Sequence, residues 1–186
     1  MNIALFGGAF NPPHIGHLLI AQRVLDFTDV NEVWFLPNYG QHPPKPDVAA
    51  YEHRLAMTNM LTLPRTRVST LEIDNKLDGN TINLIPILAK EHEYMFLIGS
   101  DQLPVFHLWG KWQELLKIMP FLVFPRAGFP TKPLYDNMKV VSHKLLIVTD
   151  ISATKIRARL KQGLTIHEFV PTGVESYIKE HRLYQT

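Results

Sequence analysis

At 186 residues, with a formal net charge of +2 and nine histidines, the chain suits one compact domain over 1–186, and without a Lys/Arg block it carries no footprint for nucleic acid. It has no cysteine, which excludes disulfides, thiolate catalysis, cysteine-bound zinc and iron–sulfur clusters and agrees with a reducing compartment. No run approaches the roughly 20 apolar residues of a membrane span, and Ile3–Phe6 is too short for a signal-peptide core, so a cytoplasmic protein is expected, with a small anion left open as ligand.

The first element is a strand, Asn2–Phe6, that runs straight into GGAFNPPHIGH. Gly7 and Gly8 stand where a turn would bring main-chain N–H groups up to a phosphate, and a side chain at either position would block that approach. Pro12 and Pro13 stiffen the turn, and His14 and His17, three apart, fall on one face at the start of the next helix, Gly16–Phe27. The same residues also suit a plain tight turn with surface caps, or half of a metal site, although no nearby carboxylate completes a set of metal ligands. The pattern is neither G-x-G-x-x-G nor a Walker loop.

A strand Glu32–Leu36 follows, then the proline-rich stretch Pro37–Ala50, a helix Tyr51–Leu61 and a strand Arg67–Ile73. The segment from about Thr81 to His92 has helical spacing but contains Pro86, which a helix tolerates only in its first turn, so a late start is expected there. Strands Tyr94–Ile98, Phe121–Phe124 and Leu145–Val148 alternate with the rest, and Pro125–His143 is read as a second long loop of the kind that often serves as a lid. Helices Ala153–Gln162, stopped by Gly163, and Thr172–His181 form a C-terminal helical part from about residue 150. Continuous apolar strands between amphipathic helices predict an α/β fold with a mainly parallel sheet, doubly wound in the Rossmann-like manner with helices on both faces. In ISATKIR, Ser152 lies before a helix as a cap, with Thr154 in the first turn and Arg157 five residues on; the plain alternative is an N-cap followed by a solvated basic face. Asp101, just past the strand ending at Ile98 and Gly99, suits either a ribose hydroxyl or a helix cap.

The segment GGAFNPPHIGH closely resembles the nucleotidyltransferase family marked by G-G-[ST]-F-[DN]-P-x-H-x-G-H, and ISATKIR resembles that family's second motif. Within it the chain is similar to the nicotinate-nucleotide adenylyltransferases: FLPNYGQHPPK resembles their P-N-x-x-P-P-H-K loop, IGSDQL their I-G-x-D-x-L segment, FPRAG their R-x-G turn, and YIKEHRLY their tail. The resemblance implies an enzyme that transfers adenylate from ATP to nicotinate mononucleotide, releasing pyrophosphate. It implies His14, His17 and Arg157 as catalytic phosphate contacts, and Gly7, Gly8, Ala9, Phe10, Gly99, Asp101, Ile151, Ser152 and Thr154 around ATP. Asn11, Lys45, Asn80, Thr81 and Trp109 would meet the mononucleotide, Trp109 by stacking on its ring. Mg²⁺ is implied as a companion of the ATP phosphates without a protein cage of its own. ATP and a pyridine mononucleotide are thus the implied partners, with homo-oligomerisation left open. Two segments depart from the family: HPPK replaces PPHK, which puts His42 in an altered place, and GNTINL carries Asn80 where a tyrosine is usual. The same transfer to nicotinamide mononucleotide, a phosphopantetheine adenylyltransferase and a non-catalytic nucleotide-binding module are the alternatives.

Overall fold

A computed structural model describes residues 1–40 and 47–185. Six strands, β1 Asn2–Gly8, β2 Glu32–Pro37, β3 Thr66–Val68, β4 Glu93–Gly99, β5 Phe121–Phe124 and β6 Met138–Val140, form one sheet in the order β3-β2-β1-β4-β5-β6, and every pairing is parallel. This is the Rossmann-like order, in which the direction of winding reverses between β1 and β4. Along β1 the side chains alternate between the two faces. Ala4 and Phe6 join Ile20, Ala21, Val24, Val33 and Phe35 on the face covered by α1 (Ile15–Phe27), whereas Ile3 and Leu5 join Trp34, Leu36, Phe96, Ile98, Leu103, Phe106 and Leu115 on the other. Both faces being buried is the reason the strands read as unbroken apolar runs.

A third cluster, Met57, Ile156, Ile166, Val170, Val174 and Ile178, packs α2 (Tyr51–Thr58) against the C-terminal helices α5 (Ala153–Lys161) and α6 (Thr172–Glu180). No helix among the described residues is long and apolar enough to cross a membrane.

Several elements differ from the sequence expectation. The strand expected at Arg67–Ile73 stops at Val68, and Leu71–Asp74 turns into the short helix α3, with Asp74 N–H bonded to Thr70 O at 2.8 Å. Thr81–His92 is not an α-helix that starts late: a 3₁₀ helix spans Thr81–Ile87 with Pro86 inside it, where proline lacks the N–H for an α-helical bond and its ring would clash with the carbonyl four residues back. Helix α2 ends at Thr58, short of Leu61. The sixth strand is Met138–Val140, inside the stretch expected to be a loop, and Leu145–Val148 is not a strand. Met138 is buried against the core and Val141 N–H continues the ladder to Val123 O at 2.9 Å, whereas Leu145 and Ile147 are exposed and only Leu146 packs inward. A second 3₁₀ helix, Ser100–Leu108, and α4, Trp112–Ile118, have no counterpart in the sequence reading.

Candidate active site

The sheet itself opens the site. β1 pairs with β2 all the way to Gly8, but with β4 only as far as Leu5 opposite Phe96, so the carboxyl ends of β1 and β4 part. The gap is a cavity of about 300 Å³ lined by Gly7, Gly8 and Ala9 from one strand end and by Leu97, Ile98, Gly99 and Asp101 from the other, with His14, His17, Arg126 and Trp109 around it. Open α/β sheets bind ligands at such a switch point.

His14 is the N-cap of α1 and His17 lies in its first turn, which carries no acidic side chain, so the positive end of a 13-residue helix faces the cavity without a counter-charge of its own. The two rings lie against each other with centroids 3.8 Å apart and planes tilted by 35°. Gly16 makes this contact feasible: a Cβ there would lie 2.8 Å from His14 Nδ1 and 2.9 Å from its Cε1. The His14 main-chain N–H donates to His17 Nδ1 at 3.1 Å. His17 therefore accepts at Nδ1, and its neutral ring carries the proton on Nε2. Burial lowers the His17 pKa to about 3, with the Arg126 charge acting in the same direction. Burial, then the His17 ring and Arg126, hold His14 well below the ordinary histidine range. The pair is thus neutral in the free protein, and His14 Nδ1 is buried without a partner among the described residues.

Arg126, just past β5, was not singled out in the sequence, although FPRAG contains it. Its main-chain N–H donates to Ser100 Oγ at 2.9 Å, its Nη2 to Ile151 O at 3.1 Å, and its Nε lies 3.6 Å from Asp101 Oδ1. A side chain on Gly99 would collide with Asp101 and come within 2.8 Å of Arg126 Cδ, so the glycine admits this pair. Gly7 lines the cavity and also has a packing reason, since a Cβ there would stand 2.6 Å from Phe96 Cζ. At Gly8 an added Cβ would meet nothing nearer than Phe10 at 3.5 Å, so packing leaves its glycine unexplained.

Three other residues that the sequence reading missed line or brace the opposite wall. Asn38 and Glu72 line the cavity together with Gly79 and the buried Thr81. Behind them Arg54, 2 % exposed, donates to Ala49 O, Ala9 O, Asn38 Oδ1, Asn38 O and Tyr39 O at 2.7–3.2 Å, locking the turn after β1 to the chain leaving β2. Trp109 lines the cavity and packs on Phe106 and Phe96 at 5.2 and 6.0 Å between centroids.

The remaining expected residues lie around the cavity, not in its wall. Asn11 is buried, and its side chain is fully engaged: Nδ2 donates to Asp47 O, while Oδ1 accepts from Ala49 N–H and Tyr184 Oη–H. Arg157 Nη1 donates to Asn11 O at 2.9 Å, so it braces the histidine loop from behind. Ser152 caps α5 by accepting from Lys155 N–H at 3.3 Å, Thr154 is exposed, and Ile151 offers its carbonyl to Arg126. Phe10 is buried, with its ring 4.7 Å from that of His17. Asn80 turns its side chain to Asp78. Lys45 and His42 lie outside the described residues. Among the described residues no three His, Asp or Glu side chains converge as metal ligands. The imidazole, guanidinium and amide donors that do converge suit phosphate oxygens.

Residues 5–159 match the cytidylyltransferase-like family. A protein of Salinibacter ruber named as a probable nicotinate-nucleotide adenylyltransferase is 36 % identical over 194 residues, covering 100 % of this chain and 98 % of that one. One of the same name from Caldicellulosiruptor saccharolyticus is 36 % identical over 196 residues and covers both chains completely, 100 % of each. In fold, the nicotinic acid mononucleotide adenylyltransferase of Plasmodium falciparum, solved as a complex with NaAD, superposes with a TM-score of 0.83 at 18 % identity over 98 % of this chain and 97 % of its own. With the open switch point, the paired histidines and these full-length matches together, the chain belongs to the cytidylyltransferase-like family and, within it, to the nicotinate-nucleotide adenylyltransferases.

Proposed function

We propose that the protein transfers adenylate from ATP to nicotinate mononucleotide, forming deamido-NAD and pyrophosphate. A 5′-phosphate oxygen of the mononucleotide attacks the α-phosphorus of ATP, a new P–O bond forms, and the bond to the β-phosphate bridging oxygen breaks. Attacker and leaving group already carry their charge, so the protein has to align them and neutralise what develops. The observation that carries this reading is the neutral, closely packed His14–His17 pair at the opening between β1 and β4, with the His17 tautomer fixed so that Nε2–H is free to donate. A triphosphate brings the negative charge that would let an imidazole take up a second proton, so the donor strengthens as substrate binds. The bare space over Gly8 and the N-terminus of α1 receive phosphate oxygens, and Arg126 closes the β4 side. Arg157 acts through Asn11, holding the loop that aims His14. Magnesium, carried by the triphosphate, would supply further neutralisation of its oxygens.

Pyrophosphate release, measured with ATP and each of nicotinate mononucleotide, nicotinamide mononucleotide and phosphopantetheine, tests the reading. The acid is expected to give the highest kcat/KM. A higher value for the amide would reassign the substrate, and no release with any acceptor would leave a nucleotide-binding module.

A further inference from the structure

The wall of the cavity away from Arg126 holds a carboxyl group that adenylyl transfer leaves unused. Glu72, in α3, is 5 % exposed and lines the cavity beside Asn38, Gly79 and Thr81. Its Oε2 is sealed from solvent and has no hydrogen-bond partner among the described residues. Arg54 is the cation that acts on it, but among the described residues the hydrogen bonds of Arg54 go to main-chain carbonyls and the Asn38 amide oxygen, and none to Glu72. An ionised carboxylate buried without a donor or paired cation is strongly disfavoured, so this one keeps its proton. Burial, reinforced by the Asp78 carboxylate and opposed by Arg54, raises the Glu72 pKa to about 7. Asp78 from the turn before the 3₁₀ helix and Arg54 from α2 are the charged groups that face it. A protonated carboxyl is a hydrogen-bond donor, and this one belongs to a residue of the cavity wall.

The ligand atom that meets it follows from the layout of the cavity. His14, His17 and Arg126 collect at the α1 and β5 side, where phosphates belong. At the other side Gly110, next to Trp109, lies so close to Asn80 that a Cβ would come within 2.5 Å of Asn80 Oδ1, and Asn80 N–H and Nδ2 donate to the Asp78 carboxylate. The indole, the 78–81 turn and Glu72 are therefore parts of one wall. A mononucleotide with its phosphate at the histidines lays its ring against that wall, with the ring substituent toward Glu72.

We propose that Glu72 is a specificity-determining residue that reads the ring substituent of the pyridine mononucleotide, its protonated carboxyl donating to the substrate carboxylate so that one proton is shared between two carboxyl groups. The proposal rests on the nicotinate reading above. A charge-assisted bond of this kind favours the acid over the neutral amide, whose oxygen is the weaker acceptor. Once Glu72 loses its proton the preference turns round: the carboxylate repels the acid and accepts from the amide NH₂. The sign is then fixed, because the acid is preferred while the free enzyme holds the Glu72 proton and loses that advantage as pH rises through about 7.

The test is the ratio of kcat/KM for the acid to that for the amide between pH 6 and 9, in the wild type and in Glu72→Gln, a shape-conserving change that leaves a permanent NH₂ donor. Ionisation of ATP and of the 5′-phosphate is common to both substrates and cancels in the ratio. The wild-type ratio is expected to fall about tenfold per pH unit above the Glu72 pKa, and the Gln variant's ratio is expected to stay flat. Calorimetric titration of nicotinate mononucleotide at pH 8, in two buffers of different ionisation enthalpy, should show proton uptake by the wild type and none by Glu72→Gln. A flat wild-type ratio, or equal losses for both substrates in Glu72→Gln with the pH profile unchanged, would overturn the assignment in favour of a structural role. If neither mononucleotide releases pyrophosphate, the adenylyl-transfer reading falls, and the calorimetric arm alone decides Glu72, with absent proton uptake counting against it.

Discussion

Gly16 carries as much of the site as either histidine it separates. Its missing Cβ is the space into which the His14 ring folds to lie on His17, so the motif H-x-G-H is a packing instruction as well as a chemical one. Two variants separate these roles. His17→Ala removes a preorganised donor and is expected to lower turnover by roughly 10²–10³ while ATP binding changes much less. Gly16→Ala keeps both imidazoles but pushes His14 off its partner, so turnover should fall with His17 chemistry intact. Steady-state kinetics beside an equilibrium titration of ATP distinguishes them; a His17→Ala enzyme within threefold of wild type would take His17 out of the reaction. At this scale the sequence was informative where one short segment holds all the parts: Gly8, His14 and His17 were legible because they are neighbours along the chain. Glu72, Arg54, Asn38 and Arg126 were not, since each comes from a different element and only the sheet brings them to one opening.

Among the elements, β1, β2, β4 and β5 could be read as buried apolar runs, since alternation onto two covered faces leaves no polar position to blur them. The sixth strand could not. LLIV at 145–148 is the more apolar segment, yet MKV at 138–140 meets β5, because pairing depends on where the chain passes and not on hydropathy. Trp112–Ile118 and the two 3₁₀ helices were similarly obscured, by Pro86 and Pro104 and by aromatic residues of weak helical preference. Helix α5 is the case where element and site meet. It begins with the expected Ser152 cap, but its Arg157 reaches the Asn11 carbonyl and not the cavity wall. Arg157→Lys keeps the charge and loses the planar fork, so the brace on the histidine loop loosens. The expected outcome is a lower kcat with a raised KM for ATP. Wild-type kinetics in the lysine variant would reduce the contact to surface packing.

For the whole molecule, the same buried groups that make the site also set how stability responds to pH in the absence of ligand. The folded pKa values of His14 and His17 are depressed, that of His17 to about 3, so below the ordinary value of 6.5 the unfolded chain binds protons that the folded one refuses, and stability is lost as pH falls below 6.5. Glu72 works in the opposite direction. Its folded pKa is raised from 4.5 to about 7, so the folded chain holds a proton the unfolded one has released, and stability is lost as pH rises across that window. Below pH 6.5 two imidazoles act against one carboxyl. One net proton remains, worth about 1.4 kcal/mol per pH unit, and the ligand-free protein should therefore be most stable near pH 6.5 and lose roughly that amount per unit toward acid. Each variant changes the count. Glu72→Gln leaves both imidazoles unopposed and should steepen the loss to about 2.7 kcal/mol per unit, whereas His17→Ala leaves one imidazole against one carboxyl and should flatten it. Urea unfolding at pH 5, 5.5, 6 and 6.5 measures all three slopes, and a wild-type stability that holds level or rises toward pH 5 would mean that the imidazoles are not buried neutral. Saturating inorganic triphosphate should weaken the acid loss in the wild type, because an anion beside the pair lets the folded chain take up the protons it otherwise refuses.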